Sequence, residues 1–85
     1  MTAEDVIETL SGAVSDVLSE DVYLDMDTPI EDLDLDSLDL MEIVYILEEE
    51  LDISLEPRMK EIYRSAVQWE TIGQAVDYII EIADR

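Results

Sequence analysis

One serine and the acids around it carry the chemistry this sequence offers. Ser37 directly follows Asp36, and further acids stand at Asp32, Asp34 and Asp39. A hydroxyl becomes a nucleophile when a neighbouring base takes its proton. The chain has no His and no Cys, and no Lys stands near Ser37 in sequence. Ser37 is therefore a poor enzyme nucleophile and a reasonable target for modification by another enzyme. At the start of a helix its hydroxyl would meet the positive end of the helix dipole, which favours a phosphate ester. The competing role is a plain helix cap, the usual task of a serine near a helix start.

Asp32, Asp34 and Asp36 also have the spacing of the first three ligands of a calcium-binding loop. Ser37 replaces the glycine such a loop needs, and Ile43 stands where its bidentate Glu belongs. A dedicated metal site is not expected. Weak divalent binding by clustered acids is, because it relieves repulsion. With 24 acids in the chain, no pairing of two carboxylates points to acid-base catalysis. The missing His and Cys exclude disulfides, thiolate zinc sites, Ser-His catalysis and histidine switching. The chain reads as no enzyme.

The balance of 24 Asp plus Glu against 4 Lys plus Arg leaves a net charge of −20 over 85 residues. Phosphate neutralisation needs a basic face, so nucleic acid is excluded as a partner. Anionic membranes are excluded on the same ground. No apolar run approaches the ~20 residues that span a bilayer. The first 20 residues carry acids and no basic cluster, unlike a secretory signal, so the expected compartment is the cytoplasm. The 48% hydrophobic content argues against disorder. One small domain over residues 1–85 is expected, folded but of modest stability.

Periodicity predicts the elements that must hold Ser37. Residues 3–18 form a first helix, capped by Thr2 with Asp5 three residues on. Its stripe is Val6, Ile7, Leu10, Val14, Val17 and Leu18. Residues 19–36 lack helical spacing, and Thr28-Pro29 breaks any helix there. They read as a long ordered loop, with Tyr23, Leu24, Met26, Ile30, Leu33 and Leu35 lying across the core. Residues 37–51 form the strongest helix, with Asp36 as N-cap and Asp39 in its first turn. Residues 52–56 connect it to a third helix over 57–67, started by Pro57 and striped by Met59, Ile62, Tyr63, Ala66 and Val67. Thr71 caps a last helix. The fold class is all-α, a four-helix bundle with a long loop between helices 1 and 2.

The second helix carries more apolar surface than one core face needs. With Leu40 at zero, Ile43, Val44, Leu47 and Leu51 lie within about 60° of it. Leu38, Met41 and Tyr45 fall at roughly 100–160° and make a second strip. Glu42, Glu48 and Glu49 flank that strip. Either the helix is buried on two sides, or the strip is a partner-binding surface with an acidic rim. Ser37 lies between the strips at about 60°.

The run Leu33-Asp34-Leu35-Asp36-Ser37-Leu38-Asp39-Leu40-Met41-Glu42 resembles the prosthetic-group attachment segment of acyl carrier proteins. The continuation through Leu47-Glu48-Glu49-Glu50-Leu51-Asp52-Ile53 and the segment from Thr71 to Ile79 are also similar to that family. The likeness spans nearly the whole chain in length, helix order, long first loop and acidity. It implies an acyl-carrier-type bundle in which Ser37 bears 4'-phosphopantetheine through a phosphodiester. A phosphopantetheinyl transferase moves that group from coenzyme A, and its thiol holds acyl cargo as a thioester. The resemblance further implies that Asp36, Asp39, Glu42, Glu48 and Glu49 meet basic patches on acyl-transferring, condensing or ligase enzymes. Leu38, Met41 and Tyr45 are then the apolar part of the docking strip. The carrier is expected to be a monomer serving fatty-acid, lipid or polyketide-type synthesis.

The chain also departs from the family. Asp34 stands where a glycine is frequent, although Asp tolerates the left-handed conformation. The stretch from Ile53 to Thr71 is longer than in carriers of primary fatty-acid synthesis. It holds Trp69 and three of the four cations, Arg58, Lys60 and Arg64, which balance local acids or serve a specialised partner or cargo. Tyr45 is bulkier than the usual residue. Trp69 loosely resembles a feature of D-alanyl carriers, which keeps an aminoacyl cargo as an alternative. The remaining alternative is an acidic helical interaction module that is never modified.

Overall fold

The computed structural model describes residues 1–84 and contains four α-helices, α1 (Ala3–Leu18), α2 (Ser37–Leu51), α3 (Met59–Ala66) and α4 (Ile72–Ala83). Two 3-10 turns, Ile30–Leu33 and Glu56–Arg58, precede α2 and α3. Local chemistry explains most boundaries. Thr2 Oγ1 accepts from the Asp5 amide at 3.2 Å and starts α1. Ser19, at φ 57°, ends it in the left-handed conformation that closes many helices. Asp52, at φ 54°, ends α2 the same way. Gln74 Oε1 accepts from the Thr71 amide at 3.1 Å and reinforces the start of α4.

The apolar stripes of these helices meet in one core. Val6, Leu10 and Val14 of α1 pack with Ile43, Val44 and Leu47 of α2. Ile62 of α3 and Val76, Ile79 and Ile82 of α4 complete it. A small apolar cavity of about 40 Å³ remains among Leu40, Ile43, Leu47, Ile62, Trp69 and Ile79. The Trp69 and Tyr78 rings lean on each other beside it, with centroids 5.3 Å apart.

The long first loop is ordered by two sets of hydrogen bonds. Along α1, Ser15 Oγ accepts from the Val22 amide at 2.9 Å, and Ser11 Oγ accepts from the Leu24 amide at 3.2 Å. At α4, the Ile72 amide donates to the Thr28 carbonyl at 2.9 Å and the Gly73 amide to the Met26 carbonyl at 2.8 Å. The Ile30 amide donates back to the Glu70 carbonyl at 2.9 Å. The first amides of a helix have no partner within it, so α4 uses loop carbonyls instead.

Three expectations are corrected here. Tyr23 is 92% exposed and does not lie across the core. Extended backbone alternates its side chains, so seating Val22 and Leu24 against α1 turns Tyr23 outward. Met26 is also exposed, and its side chain lies over Gly73. The third helix is shorter than 57–67. Pro57 lies in the 3-10 turn, where the Arg58 amide bonds the Leu55 carbonyl at 2.9 Å. After Ala66 the chain tightens again, with the Trp69 amide on the Ala66 carbonyl, and Val67 is left 83% exposed.

The two glycines make opposite predictions. A Cβ at Gly73 would sit 2.8 Å from the Met26 carbonyl oxygen, whereas one at Gly12 meets nothing within 4 Å. In urea melts Gly12→Ala should add about 0.5–1 kcal/mol, the helix-propensity gain. Gly73→Ala should remove about 1–3 kcal/mol by overpacking. Equal midpoints for the two variants would contradict the strap between loop and α4.

Candidate functional site

The approach to Ser37 is set by backbone geometry. The 3-10 turn ends at Asp34, which takes the left-handed conformation at φ 51° with its amide on the Glu31 carbonyl at 3.2 Å. Asp adopts this conformation more readily than most residues. Leu33 and Leu35 pack against the core on either side, so the chain cannot slide through the turn. It then extends into Asp36, the N-cap of α2.

Asp36 and Asp39 form a reciprocal capping box. Asp36 Oδ1 accepts from the Asp39 amide at 2.8 Å, and Asp39 Oδ2 accepts from the Asp36 amide at 3.3 Å. The cap is therefore Asp36, and Ser37 is the first residue of the helix proper. Ser37 is exposed, and among the described residues no hydrogen bond engages its hydroxyl. Its carbonyl accepts from the Tyr63 hydroxyl at 3.2 Å, which fastens α3 beside the start of α2.

The second apolar strip of α2 is not covered by the bundle. Leu38 is 68% exposed, Tyr45 is 46% exposed and Met41 is half-buried between them. The acids beside it differ in availability. Glu42 and Glu49 are exposed. The carboxylates of Asp36 and Asp39 are committed to the capping box. Glu48 is half-buried, and its Oε2 accepts from the Leu55 amide at 2.7 Å and the Glu56 amide at 2.8 Å. It thereby caps the turn before α3. Tyr63 and this use of Glu48 were missed by sequence reasoning, because both act between distant elements. The structure thus brings Asp36, Ser37, Leu38 and Asp39 together at the head of α2, with Met41, Glu42, Tyr45, Glu48 and Glu49 continuing along it.

An exposed serine hydroxyl at the head of α2, in an all-α bundle with a long strapped loop, is the layout of an acyl-carrier-type domain. The family model described as "Phosphopantetheine attachment site" matches residues 8–79. Acyl carrier proteins from three Type A strains of Clostridium perfringens are each 33% identical over 82 residues, covering 94% of this chain and 100% of theirs. No solved structure matches the chain. The chain belongs to the acyl carrier protein family. Members are carriers and not enzymes, their cofactor is covalent 4'-phosphopantetheine, and they work with a phosphopantetheinyl transferase and acyl-handling enzymes. Among the described residues no helix is long and apolar enough to cross a membrane.

The double use of Glu48 gives a stability test. Two hydrogen bonds to a charged acceptor link α2 to the next turn, so Glu48→Ala should cost about 1.5–3 kcal/mol in chemical denaturation. Glu42→Ala and Glu49→Ala should stay within about 0.5 kcal/mol of wild type. Equal effects at the three positions would show that the Glu48 contacts contribute nothing.

Proposed function

We propose that Ser37 carries 4'-phosphopantetheine and that residues 1–85 work as one carrier domain delivering acyl groups to biosynthetic enzymes. The observation that carries this reading is the division of labour at the head of α2. Asp36 performs the capping, so the neighbouring hydroxyl is exposed and unused. The group fits here, because a phosphodiester on Ser37 would project from the positive end of α2 without displacing a cap. When bound, the group supplies a terminal thiol that holds cargo as a thioester.

The residues of this chain present the hydroxyl and offer a docking surface. Leu38, Met41 and Tyr45 supply apolar contact, and Glu42 and Glu49 supply free negative charge for a basic enzyme patch. Asp36, Asp39 and Glu48 add to the same field while their oxygens hold backbone amides. The relatives this chain matches are named for acyl cargo, which favours an acyl reading over an aminoacyl one. Fatty-acid, lipid and polyketide-type synthesis all use such cargo. In this reading the carrier is a cytoplasmic monomer, since a charge of −20 opposes pairing of two copies.

Incubation with coenzyme A and a broad-specificity transferase, followed by intact-mass measurement, tests the reading. Wild type should gain one phosphopantetheine and Ser37→Ala none. In the same assay Glu42→Lys with Glu49→Lys should slow loading, and the slowing should shrink as salt is added. An unmodified wild-type chain with several active transferases would leave the acidic interaction module as the better account.

A further inference from the structure

The cations of this chain are not spread among its acids. No Lys or Arg precedes residue 58, and three of the four lie between Arg58 and Arg64. Local charge balance accounts for one of them. Arg58 pairs with Glu61 at 3.6 Å. Lys60 and Arg64 are exposed, and among the described residues neither makes an ion pair.

Their placement is specific. Tyr63 touches the Ser37 carbonyl through its hydroxyl. Lys60 lies three residues before Tyr63 on α3, and Arg64, four residues after Lys60, shares the Lys60 face of the helix. The hydrogen bond sets α3 beside the head of α2, and Lys60 and Arg64 are the exposed cations within one helical turn of that contact. A phosphodiester placed on Ser37 adds an anion to a strongly negative molecule, next to Asp36 and Asp39. Electrostatics then favours the α3 side, where guanidinium and ammonium groups bind phosphate oxygens well.

We propose that Lys60 and Arg64 form a phosphate-recognition pair for the phosphodiester on Ser37, drawing the prosthetic arm over α3 and away from the acidic α2 rim. This inference rests on Ser37 being the attachment residue. Lys60 and Arg64 act as positioning residues in it, because they orient the arm and take no part in transfer. Val67, exposed one turn beyond Tyr63, lies along the same path and offers an apolar rest for the arm. The arrangement leaves Leu38, Tyr45 and Glu42 clear for an enzyme to dock.

The test compares the isotope-labelled full chain before and after loading by coenzyme A and a transferase, with intact mass confirming one added group. Nitrogen-proton correlation spectra of wild type should show loading-induced shifts at residues 60–64 and at the Arg64 side-chain Nε–H. Lys60→Gln with Arg64→Gln should load to the same mass but lose those shifts. Its melting temperature should fall on loading by about 2–5 °C more than that of wild type. Arg58→Gln, which alters the paired cation, should keep the shifts. A confirmed mass gain with no change at residues 60–64 would overturn the inference and leave the assignment of Ser37 intact. A wild-type chain that gains no mass would overturn both.

Discussion

Three backbone hydrogen bonds between the long first loop and the start of α4 constrain everything around Ser37. The amides of Ile72 and Gly73 reach the carbonyls of Thr28 and Met26, and the Ile30 amide reaches Glu70. The same contacts satisfy donors that α4 would otherwise leave open. They also stop a stretch of chain that has little helical order of its own. From that anchored point the 3-10 turn, the left-handed Asp34 and the Asp36 cap follow in a few residues. The loop that leads to Ser37 is thus anchored by a contact with the start of α4, and Gly73 is the residue that lets the two segments approach.

Charge works on a second level. A molecule with a net −20 repels itself, and part of that repulsion is concentrated along α2. Several of the acids there are not idle. Asp36 and Asp39 close the head of the helix, and Glu48 ties its tail to the turn before α3. Glu42 and Glu49 stay exposed beside an apolar strip that the bundle does not cover. One helix therefore combines internal capping with an outward surface, and the two uses fall on different residues of the same charge.

The sequence made α1, α2 and α4 legible because each has a local cap and a sustained stripe. Thr2, Asp36 and Thr71 stand where the helices begin, and the stripes of α1 and α2 run through Leu18 and Leu51. The head of α2 was legible for the same reason, since Asp36 and Asp39 act within four residues of each other. The turn before α3 was not, because its cap comes from Glu48, seven residues upstream of Leu55. Tyr63 on the Ser37 carbonyl spans 26 positions and leaves no local trace. Two signals were present but unread. Ser11 and Ser15 lie one helical turn apart off the apolar stripe, as a pair of loop anchors should. A glycine directly inside the start of α4 costs helix propensity, which points to a close backbone approach.

We propose that this fold presents the Ser37 hydroxyl for loading. The most direct measurement is fragmentation mass spectrometry of the chain purified from its native source. The peptide containing Ser37 should carry 4'-phosphopantetheine, with an acyl thioester on part of the population. A chain that is unmodified at Ser37 in growing cells, or that carries the group on another serine, would contradict it.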